Sequence, residues 1–230
     1  MRGLDATQAH VLLREGTRHA HETTEASDGM HRLMAGDMGE AGYEALLEAQ
    51  LGLFQTWEAE RADWLRGDVA QAGWTYISRA ALILDDLTVG ARPARDISSR
   101  TPVGYREPGM PVGDREPGIP MADREPGTPV GYREEMSRAG RAPTAWGELY
   151  VVEGSALGGR IIARRLRELF PHRTHQFYAV GENAPSSWRH FQTLLDSHLT
   201  DDASRRLAID GALTMFARFR QALTDLPAHA

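Results

Sequence analysis

The 230-residue chain contains no cysteine and no lysine. Without thiols it forms no disulfide, offers no thiolate to a metal, and carries no cysteine nucleophile. Without lysine, every fixed cation is a guanidinium. Cations are also in the minority: 26 Lys plus Arg against 32 Asp plus Glu give a net charge of −6 and an isoelectric point near 5.8. Such a chain is a poor non-specific binder of nucleic acid. Long apolar runs are missing too. Clusters such as Ala80–Leu84 fall far short of the ~20 residues that span a bilayer, and residues 1–7 hold no apolar signal core. The expectation is a soluble, cytoplasmic protein with no nucleic-acid or membrane partner. No stretch alternates with period two, so the fold class expected is all-α.

Apolar residues make up 41% of the chain and charged residues 25%, which suits one globular domain. Apolar positions recur three and four residues apart from residue 5 to about 90, with strong helix formers between them. Asp5 is placed to cap a first helix, with Gln8 completing a capping box. From Gly42 to Arg66, the residues Tyr43, Leu46, Leu47, Gln50, Leu51, Phe54, Trp57 and Trp64 mark one buried helix face. Thr75–Asp86 reads as a shorter helix. Helical periodicity returns at Thr144–Phe170, ended by Pro171, and again at Ser186–His198 and Asp202–Leu226.

Between these zones the composition changes. Residues 102–135 hold an imperfect nine-residue repeat, PVGYREPGM, PVGDREPGI, PMADREPGT and PVGYREE. Proline removes donors and biases its predecessor away from helix, and these units bring too little apolar surface to offset ordering. The GGxGxD pattern of calcium-binding β-rolls is absent. The domain is therefore read as 1–230, interrupted at 92–140 by a mobile, charge-balanced insertion, with a folded repeat or a peptide-docking arm as the alternatives.

With thiols and lysines missing, chemistry falls to the 9 histidines, the carboxylates and the hydroxyls. Two constellations stand out. Arg14, Arg18, His21 and Glu25 are spaced four, three and four apart, which puts them on one helical stripe. A neutral imidazole can bind iron through one nitrogen while a carboxylate one turn on takes the other ring N–H. The arginines can meet carboxylates. A solvated, salt-bridged face gives the same spacing, so both readings stay open. His19 and His31 read as surface residues. The second constellation is Glu153-Gly154-Ser155-Ala156-Leu157-Gly158-Gly159-Arg160, inside a helical segment. Each interior glycine costs roughly 0.5–1 kcal/mol relative to alanine. Either tight helix packing or close approach of a ligand to the backbone can repay that. No phosphate loop is present, and Ser155 does not stand in G-x-S-x-G.

The segment Leu13–His21 followed by Glu25 resembles the proximal helix of biliverdin-producing haem oxygenases. Leu149–Gly159 resembles the distal helix of their bacterial branch, and Phe177–Phe191, with Gly181 and Trp188, is similar to the region that follows. The resemblance covers residues 8 to about 225 except about 92–140. It implies a haem-oxygenase-like helical domain with haem between the two helices. His21 is then the axial iron ligand and Glu25 its partner. Arg14 and Arg18 face the propionates, with Arg189 and His190 as further basic candidates. Gly154, Gly158 and Gly159 are the glycines of the distal helix. Many members of the family carry Asp where this chain has Ser155, which can hold a water but supplies no charge.

The activity implied is oxidative opening of haem to biliverdin, CO and Fe2+, using O2 and electrons from a separate reductase or ferredoxin. A bacterial phytochrome is a possible acceptor of the biliverdin. A haem carrier or sensor without ring opening would share the same residues. Thiaminase-type enzymes of similar fold use a cysteine nucleophile, which this chain lacks. A plain helical interaction domain is the remaining alternative.

Overall fold

The longest buried stripe of the amino-terminal half organises the molecule. In helix α3 (Glu40–Trp64) the residues Tyr43, Leu46, Leu47, Gln50, Phe54 and Trp57 are all buried, at the three- and four-residue spacing of one helix face. The helix continues through one π-helical turn, Leu65–Val69. The computed structural model describes residues 8–90, 130–182 and 185–224, with side chains left undescribed at 89–90, 130–141 and 185–186. Asp5 and most of the repeat lie outside the described residues.

The other elements are α1 (Ala9–Glu25), α2 (Asp28–Ala35), α4 (Arg79–Gly90), α5 (Val130–Leu169), the single turn α6 (Gln176–Ala179), α7 (Pro185–His198) and α8 (Asp202–Thr224). Among the described residues there is no strand. α8 is the central post. It packs against α1, α3 and α5, with α2 touching it as well. Its buried line Ser204, Ala208, Gly211, Ala212, Met215, Phe216, Phe219 and Leu223 faces inward. Where α8 crosses α5 the backbones touch. A Cβ at Gly147 would overlap the Ala208 carbonyl, and one at Gly211 would overlap the Thr144 carbonyl.

Several boundaries differ from the sequence reading. α2 is an unpredicted helix, and Gly29 is buried inside it. It stops at Gly36, whose φ of +86° is the left-handed conformation of a helix C-cap. α4 begins at Arg79 rather than Thr75. Its cap is supplied from a distance, since Glu58 of α3 accepts the backbone N–H groups of Arg79 and Ala80 and the hydroxyls of Tyr76 and Ser78. α5 begins at Val130 rather than Thr144, so the last partial repeat unit has helical backbone. The helix runs through Pro143, giving up one backbone bond there.

Candidate functional site

α1 turns two faces in different directions. Ala9, Leu13 and Thr17 are buried, while Arg14, Arg18, His21 and Glu25 form an exposed stripe beside them. The helix is fixed at both ends. Asp196 of α7 accepts from the backbone N–H of His10 at 3.1 Å and lies 2.9 Å from its ring Nδ1. Gly16 packs on Ile209 of α8, so a Cβ there would stand 3.1 Å from its methyl. Farther along α1, the His21 ring meets Phe216 of α8 edge-to-face, with centroids 5.7 Å apart.

His21 Nδ1 lies 3.5 Å from a Glu25 carboxylate oxygen, a contact longer than an ordinary hydrogen bond. Their side chains are 56% and 67% exposed, so the imidazole is available to a ligand. Arg14 and Arg18 are exposed and make no hydrogen bond or ion pair among the described residues. Arg14 lies close enough to Tyr150 of α5 for its charge to pull down a phenol that burial otherwise pushes up. α1 and α5 thus approach each other one turn before Gly154. His19 and His31 are exposed, as the sequence reading has them.

The glycine cluster of α5 divides by surroundings. Gly159 packs against the chain: a Cβ there would stand 2.7 Å from the Tyr178 carbonyl oxygen. The Gly154 position faces the Trp188 ring at 3.4 Å. At Gly158 nothing lies within 4 Å of an added Cβ. Helix packing therefore accounts for Gly159 and leaves Gly158 open. Ser155 is exposed, and its hydroxyl donates to the Val152 carbonyl at 2.7 Å. Only its lone pairs are left for another partner while that bond holds.

Glu153 anchors this stretch from behind. It accepts from Arg79 Nη2 at 3.0 Å and from Trp74 Nε1 at 3.3 Å. The Arg79 side chain is 3% exposed and that of Glu153 10%. Burial pushes the Glu153 carboxyl up, and the neighbouring guanidinium and indole pull it back. The indole of Trp74 in turn packs on Phe191 at 4.9 Å and stacks on His190 at 6.1 Å. His190 is therefore engaged with an aromatic ring, while Arg189 is exposed beside it.

Phe216, Tyr150, Arg79 and Trp74 were not singled out in the sequence. Phe216 and Tyr150 carry ordinary helical spacing. Arg79 and Trp74 reach Glu153 across more than seventy residues, and no local pattern encodes that. Among the described residues, no three His, Asp or Glu side chains converge as a metal site would require.

The chain is similar to known proteins over most of its length. Residues 126–225 match the family model described as Heme oxygenase. A curated protein named "Heme oxygenase", from Xanthomonas campestris pv. campestris, is 33% identical over 196 residues, spanning 84% of this chain and 96% of its own. Among solved structures, haem oxygenase from Leptospira interrogans aligns with a TM-score of 0.65 at 18% identity, covering 96% of this chain and all of that one. Haem oxygenase-1 from the cyanobacterium Synechocystis, solved in complex with haem, aligns with a TM-score of 0.65 at 14% identity, covering 97% and 94%. The two structures share the all-α fold found here, and identity at this level across nearly the full length of the Xanthomonas relative establishes that the chain belongs to the haem oxygenase family of oxidoreductases.

Proposed function

We propose that this chain binds haem between α1 and the glycine-bearing part of α5, with His21 as the iron ligand. The ring is opened to biliverdin, CO and Fe2+, with O2 and electrons from an external reductase or ferredoxin. The observation that carries this reading is the pairing of His21 with Glu25 on an exposed stripe that also bears two unpaired guanidiniums. Glu25 stands on the Nδ1 side of the ring, which leaves Nε2 for iron.

The donor set fits haem better than a bare ion. A single imidazole is a sufficient protein ligand only when iron already has four other donors, and among the described residues no cluster of His, Asp and Glu stands ready to replace them. Bound haem supplies iron able to activate O2 against its own ring. The protein's part is to bind, orient and shield. Arg14 and Arg18 pair with carboxylates at the ring edge as bidentate donors. Gly158 presents backbone with open space beside it, so a flat ligand can lie against the helix where a methyl would intrude. The Ser155 hydroxyl accepts a hydrogen bond from a water at that surface. Released biliverdin suits an acceptor such as a bacterial phytochrome.

The test is an absorption spectrum of the protein with haemin, before and after reductant in air. Formation of a Soret band, then its loss to a broad red band of biliverdin, is expected. A stable Soret band under reductant and O2 would instead identify a carrier or sensor.

A further inference from the structure

Four of the five tryptophans are linked through one phenylalanine. Phe191 of α7 is buried, and its ring lies 5.8 Å from Trp188, 4.9 Å from Trp74 and 6.2 Å from Trp146, centroid to centroid. Trp64 meets Trp146 in turn at 5.2 Å. One end of this stack reaches the glycine face of α5. A Cβ at Gly154 would stand 3.4 Å from the Trp188 ring, and Gly154 and Gly158, four residues apart, share that face. The indole N–H groups differ in what they meet. That of Trp74 donates to Glu153 at 3.3 Å. That of Trp64 is buried without an acceptor, and those of Trp146 and Trp188 make no hydrogen bond among the described residues. Tyr150, which packs on Trp188 at 5.6 Å, has no acceptor for its phenol proton either, and burial pushes that phenol up. The fifth indole, Trp57, donates to Glu148, but its ring meets Tyr76 and none of the linked rings.

The geometry points to a relay for oxidising equivalents that runs from the haem cleft through Trp188 and Phe191 to Trp74. Indoles and phenols are the side chains that most readily give up a single electron once thiols are absent, and this chain has no thiol. An indole that loses an electron becomes a cation whose Nε1 proton is acidic. The charge therefore comes to rest on an indole beside a base. Of the four linked indoles only Trp74 has one among the described residues, whereas a cation at Trp64 would be buried and unsupported. Glu153 suits the role. Its carboxylate stabilises the cation, and burial, by raising its pKa, favours uptake of the proton. Phe191 is too hard to oxidise to hold the charge and serves as the bridge. Trp74 is half-buried, so a small reductant in solution reaches it. The chemistry served is reduction of an organic hydroperoxide at the haem. Breaking its O–O bond to give the alcohol and water takes two electrons and two protons. Trp74 supplies one electron, its Nε1 proton passing to Glu153. An enediol such as ascorbate supplies the other electron and the two protons. Its second electron then restores the indole, which takes its proton back from Glu153. The inference rests on the haem reading above for its starting point.

The test loads the full chain with haemin and adds cumene hydroperoxide without reductant. Samples mixed without air are frozen within seconds for electron paramagnetic resonance. Parallel samples in air are digested, and oxygen added to tryptophan is located by mass spectrometry. The expected result is an organic radical whose signal narrows when the protein is made with ring-deuterated tryptophan, together with oxidation at Trp74. Trp74→Phe should lose most of that signal. Trp188→Phe, compared with the parent at equal haem loading by the Soret band, should lose most of the oxidation at Trp74. Haem-free protein should show neither. Three results overturn the relay: a radical indifferent to tryptophan deuteration, a signal undiminished in Trp74→Phe, or oxidation of Trp74 that is the same without haemin or without Trp188. Should Trp74→Phe not fold by circular dichroism, the deuterium narrowing and the oxidised position in the parent decide. A chain that forms no Soret band with haemin refutes the haem reading and the relay with it. A Soret band without oxidation at Trp74 refutes the relay alone.

Discussion

Gly158 and Gly159 are neighbours in sequence and opposites in environment: one faces open space, and the other lies within contact of the Tyr178 carbonyl. Alanine at the two positions should therefore separate site from scaffold. Gly159→Ala overpacks a backbone contact and is expected to cost about 1–3 kcal/mol in urea unfolding. Gly158→Ala should leave stability equal or raise it by up to ~1 kcal/mol, through helix propensity, while weakening haem binding. A Gly158→Ala variant that titrates with haemin like the parent would remove Gly158 from the site.

His21→Ala should remain folded by circular dichroism, because the ring is more than half exposed and meets Phe216 edge-on at the margin of the core. It is expected to lose the histidine-type ferric haem spectrum and nearly all ring opening, with partial return on adding free imidazole. His19→Ala, on another face of the same turn, should change neither. The reverse pattern would shift the register of α1 and take Arg14, Arg18 and Glu25 with it.

Ser155→Ala removes a hydroxyl that is exposed and bonded to its own helix. Stability should stay within about 0.5 kcal/mol of the parent. Turnover should slow by about fivefold, the equivalent of ~1 kcal/mol for one water-ordering hydrogen bond. Complete loss of biliverdin with haem still bound would give Ser155 a larger role than this.

Breaking the buried pair behind the glycines should be costly in one direction. Arg79→Ala leaves Glu153 charged and buried beside a single indole donor, a change of about 3–5 kcal/mol. Adding Glu153→Gln to it should restore part of that loss, read as the denaturation midpoint. Equal destabilisation of the single and double variants would show that the charge is not what matters.

A pH response is built into the junction of α3 and α6. His175 is buried, its Nε2 bonded to the Phe170 carbonyl at 3.1 Å and its Nδ1 to the Tyr43 hydroxyl at 3.0 Å. The arrangement suits a neutral ring that donates through Nε2 and accepts at Nδ1. Burial lowers its pKa, outweighing the carbonyl that favours the charged form. The unfolded chain then binds a proton more readily than the folded one, so stability is full above the ordinary histidine pKa of about 6.5 and falls as pH drops below it. Melting temperature measured from about pH 7.5 down to about pH 5 should decline more steeply in the parent than in His175→Gln. Parallel slopes would assign the acid sensitivity to other groups.

The legible parts of the fold were those with long local periodicity. The buried face of α3 follows its spacing, except that Leu51 and Trp64 are only partly covered. α2 was missed because eight residues give too short a pattern. α4 was misplaced because its cap, Glu58, belongs to another helix. In the site, the stripe of α1 was visible because i, i+3 and i+4 spacing is local. Its contact with Phe216 was not, since the two rings stand 195 positions apart in the chain. The division among Gly154, Gly158 and Gly159 was equally hidden. It depends on what packs against each, and one-residue steps around a helix look alike in sequence.

The backbone contact of α5 with α8 has a mechanical consequence. At Gly147 and Gly211 the two helices are joined main chain to main chain, with no side chain left to yield. α1 meets the same post through a methyl of Ile209 and the edge of an aromatic ring, both of which can swing between rotamers. The jaw bearing the glycines is therefore stiff, and the jaw bearing His21 is compliant. For haem bound as proposed, give and take falls on α1, and substitutions at Ile209 or Phe216 are the ones that would reset the gape.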